Sequence, residues 1–172
     1  MKTPICVFDA KTGVLCSKCE SKLKSGHISQ GDVDASIKLT KIEEKNNDIK
    51  QLTLVAAHRI EDDTVLIMPN SDITAIRMNN EIIKDIKKEF PGDIWFIENG
   101  ATEKRFIENL MYPLKISTMN LVWLPDDNKL TKIIINRKKQ SKNVNIHEIN
   151  TNKIQNIAKE IKNIELLIDF EE

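Results

Sequence analysis

The chain has 172 residues, with 26 Lys and Arg set against 26 Asp and Glu and a formal net charge of zero. That balance excludes a strongly basic nucleic-acid coat, because sequence-independent affinity comes mainly from Lys and Arg on phosphates; a local basic patch stays open. Apolar residues make up 40% and charged residues 30%, which suits real cores in a soluble protein. No run approaches the ~20 apolar residues of a membrane span. No signal peptide is visible, so the cytoplasm is the expected location and no membrane partner is expected.

In chain order, residues 1–30 read as a Cys-bearing segment, 31–100 as a first domain and 101–172 as a second. The segment holds Cys6 and the knuckle Cys16-Ser17-Lys18-Cys19. Cys6-x-x-Asp9 facing Cys16-x-x-Cys19 has the spacing of a zinc knuckle, with Asp9 where a fourth cysteine would stand and His27 as another possible donor. Such an ion would hold a segment with few apolar residues. The alternative is reduced cysteines, with Cys6 and Cys16 packed beside Ile5, Phe8 and Leu15. A thioredoxin-like redox role lacks its strand–motif–helix surroundings.

Residues 32–47 then predict a helix, with Val33, Ile37 and Ile42 on one face. Residues 51–60 (QLTLVAAHRI) and 64–68 predict strands joined by a turn at Glu61-Asp62-Asp63. A short helix (71–76), a break (77–80), a longer helix (81–90) and a strand (93–98) follow, and Asn99-Gly100 signals a turn. The order recurs as a helix (101–111), strands at 120–124 and 130–136 around a turn at 125–128, a helix (153–161) and a strand (164–168).

The last part of each half is one sequence written twice. EIIKDIKKEFPGDIWFIEN, from Glu81, and NKIQNIAKEIKNIELLIDF, from Asn152, align without gaps. Ile83 falls on Ile154, Ile86 on Ile157, Lys88 on Lys159, Glu89 on Glu160 and Ile97 on Ile168. The connection between hairpin turn and long helix is longer in the second copy (Asp126 to Ile154) than in the first (Asp62 to Ile83). A repeat this long predicts two small units of one fold, helix–strand–strand–helix–helix–strand, each an α+β layer of three strands under helices.

That element order, with a break between two central helices, resembles the type II KH domain, and two in tandem after the stretch PICVFDAKTGVLCSKCESKLKSG resemble small archaeal NusA-like proteins. The resemblance implies RNA binding in support of transcription elongation or termination, with RNA polymerase or the ribosome as possible protein partners. The family's Ile-Gly-x-x-Gly-x-x-Ile loop brings backbone close to phosphates at a helix N-terminus. Here that stretch is Ile76-Arg77-Met78-Asn79-Asn80-Glu81-Ile82-Ile83, with Arg77 and Asn80 at the glycine positions. The second copy reads Glu148-Ile149-Asn150-Thr151, again without glycine.

Two readings of the first loop stand. Either Asn80 takes the left-handed conformation and Arg77 supplies a charged donor, or the clamp is lost and the fold kept. Lys84 adds charge on the following helix. Arg137, Lys138, Lys139 and Lys142 form a stretch without acidic residues that leads toward the second loop. The RNA contacts expected are therefore Arg77, Met78, Asn79, Asn80, Lys84 and this basic stretch. The rival expectation is a degenerate KH module that docks on a protein.

Trp95, Phe96 and Trp123 are expected in packing rather than base stacking, and His58 as a half-buried structural histidine. Both Asp-Asp pairs lie in turns, where Asp bonds the local backbone. No nucleotide-binding glycine loop and no nucleophile–base pair occurs, so neither enzymatic activity nor a small-molecule substrate is expected.

Overall fold

Two short helices, α1 (Val7–Thr12) and α2 (Ser17–Lys24), precede the long helix α3 (Gln30–Lys45) in the computed structural model, which describes residues 1–172 apart from the side chain of His147. A reciprocal capping box starts α3: Ser29 Oγ accepts from the Asp32 N–H at 3.1 Å, and Asp32 Oδ2 accepts from the Ser29 N–H at 2.7 Å. The other Asp32 oxygen accepts at 2.6 Å from the N–H of Ala57, in strand β1 (Ala56–Ile60). Gly31 permits this approach, since a Cβ there would stand 2.7 Å from the Ala57 carbonyl oxygen.

The strand expected at 51–60 begins only at Ala56. The residues before it form a 3-10 turn (Asn47–Gln51) and a short bridge in which the Lys2 N–H bonds the Leu52 carbonyl at 3.0 Å and the Leu54 N–H bonds the Lys2 carbonyl at 2.9 Å. Leu52 and Leu54 are buried there, so their apolar side chains serve a loop rather than a sheet.

β1 runs antiparallel to β2 (Asp63–Met68), turning at Glu61 in the left-handed region (φ 55°). α4 (Asn70–Met78) and α5 (Asn80–Glu89) follow, and β3 (Ile94–Glu98) lies parallel to β2, giving the order β1-β2-β3. Asp63 Oδ1 accepts from the Asp93 N–H at 2.8 Å and secures the start of β3. Leu39, Ile42, Leu66, Met68, Ile73, Ile76, Ile82 and Ile86 share the core between helices and sheet.

The second unit has α6 (Glu103–Met111), β4 (Thr118–Trp123), β5 (Lys129–Asn136), α7 (Thr151–Lys162) and β6 (Glu165–Glu171). Its sheet order is β4-β5-β6, antiparallel and then parallel, as in the first. The duplication holds in register. α5 begins at Asn80 and α7 at Thr151, β3 at Ile94 and β6 at Glu165, and both pairs of starts keep the alignment that sets Ile83 on Ile154.

One expected element is missing. No α-helix precedes α7 in the way that α4 precedes α5; two 3-10 turns, Arg137–Lys139 and Ile146–Glu148, stand there instead. The stretch RKKQSKNVN has no apolar stripe for a helix to bury. Contacts divide the chain into Met1–Gly100 and Ala101–Glu172, so the cysteine segment clusters with the first unit. Both units are α+β.

Candidate metal centre and helix-junction sites

The cysteine spacing becomes geometry through two helix starts. Cys6 is the N-cap of α1 and Asp9 its third residue; Cys16 is the N-cap of α2 and Cys19 its third residue. N-cap and third-residue side chains reach toward each other, as in a capping box, so each C-x-x-X pair converges. Neither cap cysteine makes a side-chain cap bond. The three sulfurs and an Asp9 oxygen all lie within 4.8 Å of one another. Sulfurs around a tetrahedral zinc at about 2.3 Å would be about 3.8 Å apart, so closing on an ion takes small adjustments. This group of four can hold a metal ion.

Its polarity is unusual for a packed core. Asp9 is fully buried and Cys19 nearly so, Cys16 is half-buried and Cys6 exposed. Asp9 Oδ2 accepts from the Cys16 N–H at 3.0 Å, while no donor meets Oδ1 in hydrogen-bonding geometry. The neighbouring Cys19 thiol, followed by the Cys16 N–H, holds the Asp9 carboxyl down at about 2 against the burial that opposes it. Burial first, then Asp9, pushes the Cys19 thiol up to about 12. Without an ion the thiol therefore keeps its proton at neutral pH, and a metal must displace it.

The packing alternative fits less well. Ile5 is buried and Leu15 half-buried beside Cys19, but Phe8 is 69% exposed. His27 lies outside the group of four and meets Ser25 Oγ through Nδ1 at 2.6 Å.

The first helix junction is tighter than the expected four-residue break. Arg77 and Met78 end α4, Asn80 begins α5, and only Asn79 lies between. Asn79 is extended (φ −114°, ψ 99°) and Asn80 is helical, so neither takes the left-handed conformation expected at the glycine position. The reason is a side-chain cap: Asn79 Oδ1 accepts from the N–H groups of Glu81 at 3.0 Å and Ile82 at 3.3 Å. Its Nδ2 donates to Asp48 Oδ2 at 3.0 Å. The helix N–H groups that a phosphate would use thus have an internal acceptor, with a carboxylate behind it. Met78 is 83% exposed, and Lys84 is exposed on α5.

The second junction repeats the cap. Asn150, the counterpart of Asn79 in the repeat, accepts through Oδ1 from the Lys153 N–H at 3.2 Å. Glu148 ends the turn before it and accepts from Asn145 Nδ2 at 2.8 Å. Upstream, Arg137, Lys138, Lys139 and Lys142 are exposed, and no salt bridge to them is found among the described residues. Arg137 lies over the Phe170 ring at 5.6 Å from its centre. Asn136 caps this turn by accepting from the Lys139 N–H at 3.1 Å.

Two other expectations change. Trp123 is 67% exposed because it ends β4, an edge strand, beside a polar turn. His58 is exposed on β1, also an edge strand. The sequence expectations do not single out Asn79 and Asn150 as caps. Their signal in the sequence is Asn at equal positions in both copies, which the glycine motif overshadows. Asp48 gives no signal, since its bond spans 31 residues.

No protein-family model matches the sequence, and no curated protein matches it. Among solved structures, the crystal structure of APE1850 is similar, with a TM-score of 0.52 and 13% sequence identity over 78% of this chain and 95% of that one. At that identity the likeness speaks for the fold.

Proposed function

We propose that this chain is a tandem KH-like protein of the NusA-like kind, which binds RNA and assists transcription elongation or termination. Two units of matching sheet order, each with a capped helix start between its second and third strands, are consistent with a KH pair. The observation that carries RNA binding is the cationic turn at Arg137, Lys138, Lys139 and Lys142, exposed and with no salt bridge among the described residues, just ahead of the second junction. Such cations make phosphate contacts with high salt dependence. Because Asn79 and Asn150 occupy the helix starts, the contacts rest on side-chain charge rather than on a backbone clamp.

The test is RNA binding titrated against salt, for the native chain and for a variant with all four cations replaced by Glu. Binding that weakens and loses salt dependence in the variant supports the reading; no binding to any RNA at low salt overturns it. The internal caps also favour a second reading, in which degenerate KH units dock on RNA polymerase or the ribosome. Retained binding to a polymerase or ribosome by a chain that fails to bind RNA would select it.

For the metal we propose zinc. Three thiolates and one carboxylate form a closed, largely soft donor set, and zinc there would be structural. Less than about half an equivalent in protein purified without chelator would count against a four-ligand site.

A further inference from the structure

We propose that Asp9 completes the metal site through Oδ1, and that the ion so held is what folds residues 5–28 against α3. The proposal rests on the zinc reading and adds a ligand atom and a consequence. Asp9 has two oxygens with different duties. Oδ2 is engaged by the Cys16 N–H, which sets its direction. Oδ1 is buried and has no hydrogen-bond partner, and Asp9 belongs to the group of four whose ligand atoms, one carboxylate oxygen included, lie within 4.8 Å of one another. A buried acceptor left unmade is costly, and an ion between it and the three sulfurs removes that cost. Asp9 thereby ties the ion to the N-terminus of α2, so binding and the mutual placement of α1 and α2 are one event.

The rest of the segment has little else to hold it. α1 has six residues and α2 eight, lengths at which isolated helices are marginal in water. Neither has a side-chain cap. The segment supplies Ile5, Ala10, Cys19 and Ile28, with Leu15 and Leu23 half-buried beside them, to a small cluster completed by Val33 and Ile37 of α3. Phe8, Val7 and Val14 remain exposed and contribute no core. By contrast, α3 has a second face, Ala35, Leu39 and Ile42, in the main core, and the Lys2 bridge to Leu52 and Leu54 uses backbone bonds alone. Those parts do not depend on the ion.

The experiment is hydrogen exchange on the full chain, zinc-loaded and after removal of zinc by a chelator, with metal content measured in parallel. Exchange in residues 5–28 is expected to rise at least about tenfold on removal, while residues 56–98 keep their protection. Asp9→Asn should weaken zinc binding by at least the roughly 10- to 100-fold that loss of a group hydrogen-bonded to a ligand costs, and Asp9→Cys should restore it with a fourth sulfur donor visible in the cobalt-substituted spectrum. Protection at 56–98 reports whether either variant folds. Failure of the native chain to take up zinc overturns the zinc reading itself. Zinc bound with no change in residues 5–28 overturns only the folding role, and Asp9→Asn binding zinc as tightly as the native chain overturns Asp9 as ligand.

Discussion

The two helix junctions share a cap and differ in everything upstream of it. At Asn79 the chain arrives from a helix, α4, and the cap amide is held by Asp48. At Asn150 it arrives from two 3-10 turns and a run of exposed cations. The repeated part is what the core needs: a helix start, an Ile stripe and a strand parallel to its neighbour. The variable part differs in burial as well: α4 puts Ile73 and Ile76 into the first unit's core, while Arg137, Lys138, Lys139 and Lys142 face solvent in the second. The repeat keeps the packing from the cap onward and differs in charge ahead of it, so any nucleic-acid contact should be unequal between the units.

The largest expected effect tests the shared part. Ile86 on α5 and Ile157 on α7 are equivalent, and each is 1% exposed. Either change to Ala should destabilise its own unit by about 2–5 kcal/mol, through lost burial and the cavity left behind. Urea unfolding followed by residue-resolved exchange would show which unit melts. If Ile157→Ala melted both units equally, the division at Gly100 would not be one of stability.

The next effect tests the divergent part. Charge reversal at Arg137, Lys138, Lys139 and Lys142 should lower the salt slope of single-stranded RNA binding by about 0.7 for each phosphate contact removed, or about 2.8 if all four touch phosphate. Reversal of Lys84 and Lys88 should do less, since Lys88 already faces Asp85 at 4.0 Å and Glu81 sits at the start of the same helix. Equal losses from the two sets would erase the asymmetry between the units.

What the sequence discloses follows from how local each cause is. The alignment of Ile83 with Ile154 and of Ile97 with Ile168 marks the α5/α7 and β3/β6 pairs to the residue, because helical periodicity and apolar strands are local patterns. The group Cys6, Asp9, Cys16 and Cys19, which could hold a metal ion, is legible for the same reason: each pair spans one helical turn. The irregular path of Leu52 and Leu54 is not legible, since it depends on Lys2 at the other end of the unit's sequence. An apolar run there looks the same in a buried loop as in a strand. The missing helix before α7 is readable from its polar composition, but the duplication argues for symmetry and outweighs it.

Smaller effects separate the two caps. Asn150→Ala should cost about 1 kcal/mol by the loss of one side-chain acceptor at a helix start. Asn79→Ala should cost more, toward about 2 kcal/mol, because it also strands the bond to Asp48 and leaves two N–H groups unmet. Thermal unfolding of both variants checks the order.

The smallest effect is the most informative about function. Asn79→Gly should cost only a few tenths of a kcal/mol at the cap itself, since glycine at an N-cap leaves the N–H groups to water, beside the exposed bond to Asp48 that Asn79→Ala also loses. It also removes the acceptor that now meets the Glu81 and Ile82 N–H groups at the start of α5. Combined with Asp48→Asn, it takes away the nearby negative charge. If the first unit holds RNA in the manner of a helix N-terminus, this double variant should bind RNA more tightly than the native chain at equal salt. If its affinity is unchanged while reversal of Arg137, Lys138, Lys139 and Lys142 abolishes binding, then the first junction is a cap and nothing more, and RNA contact belongs to the second unit.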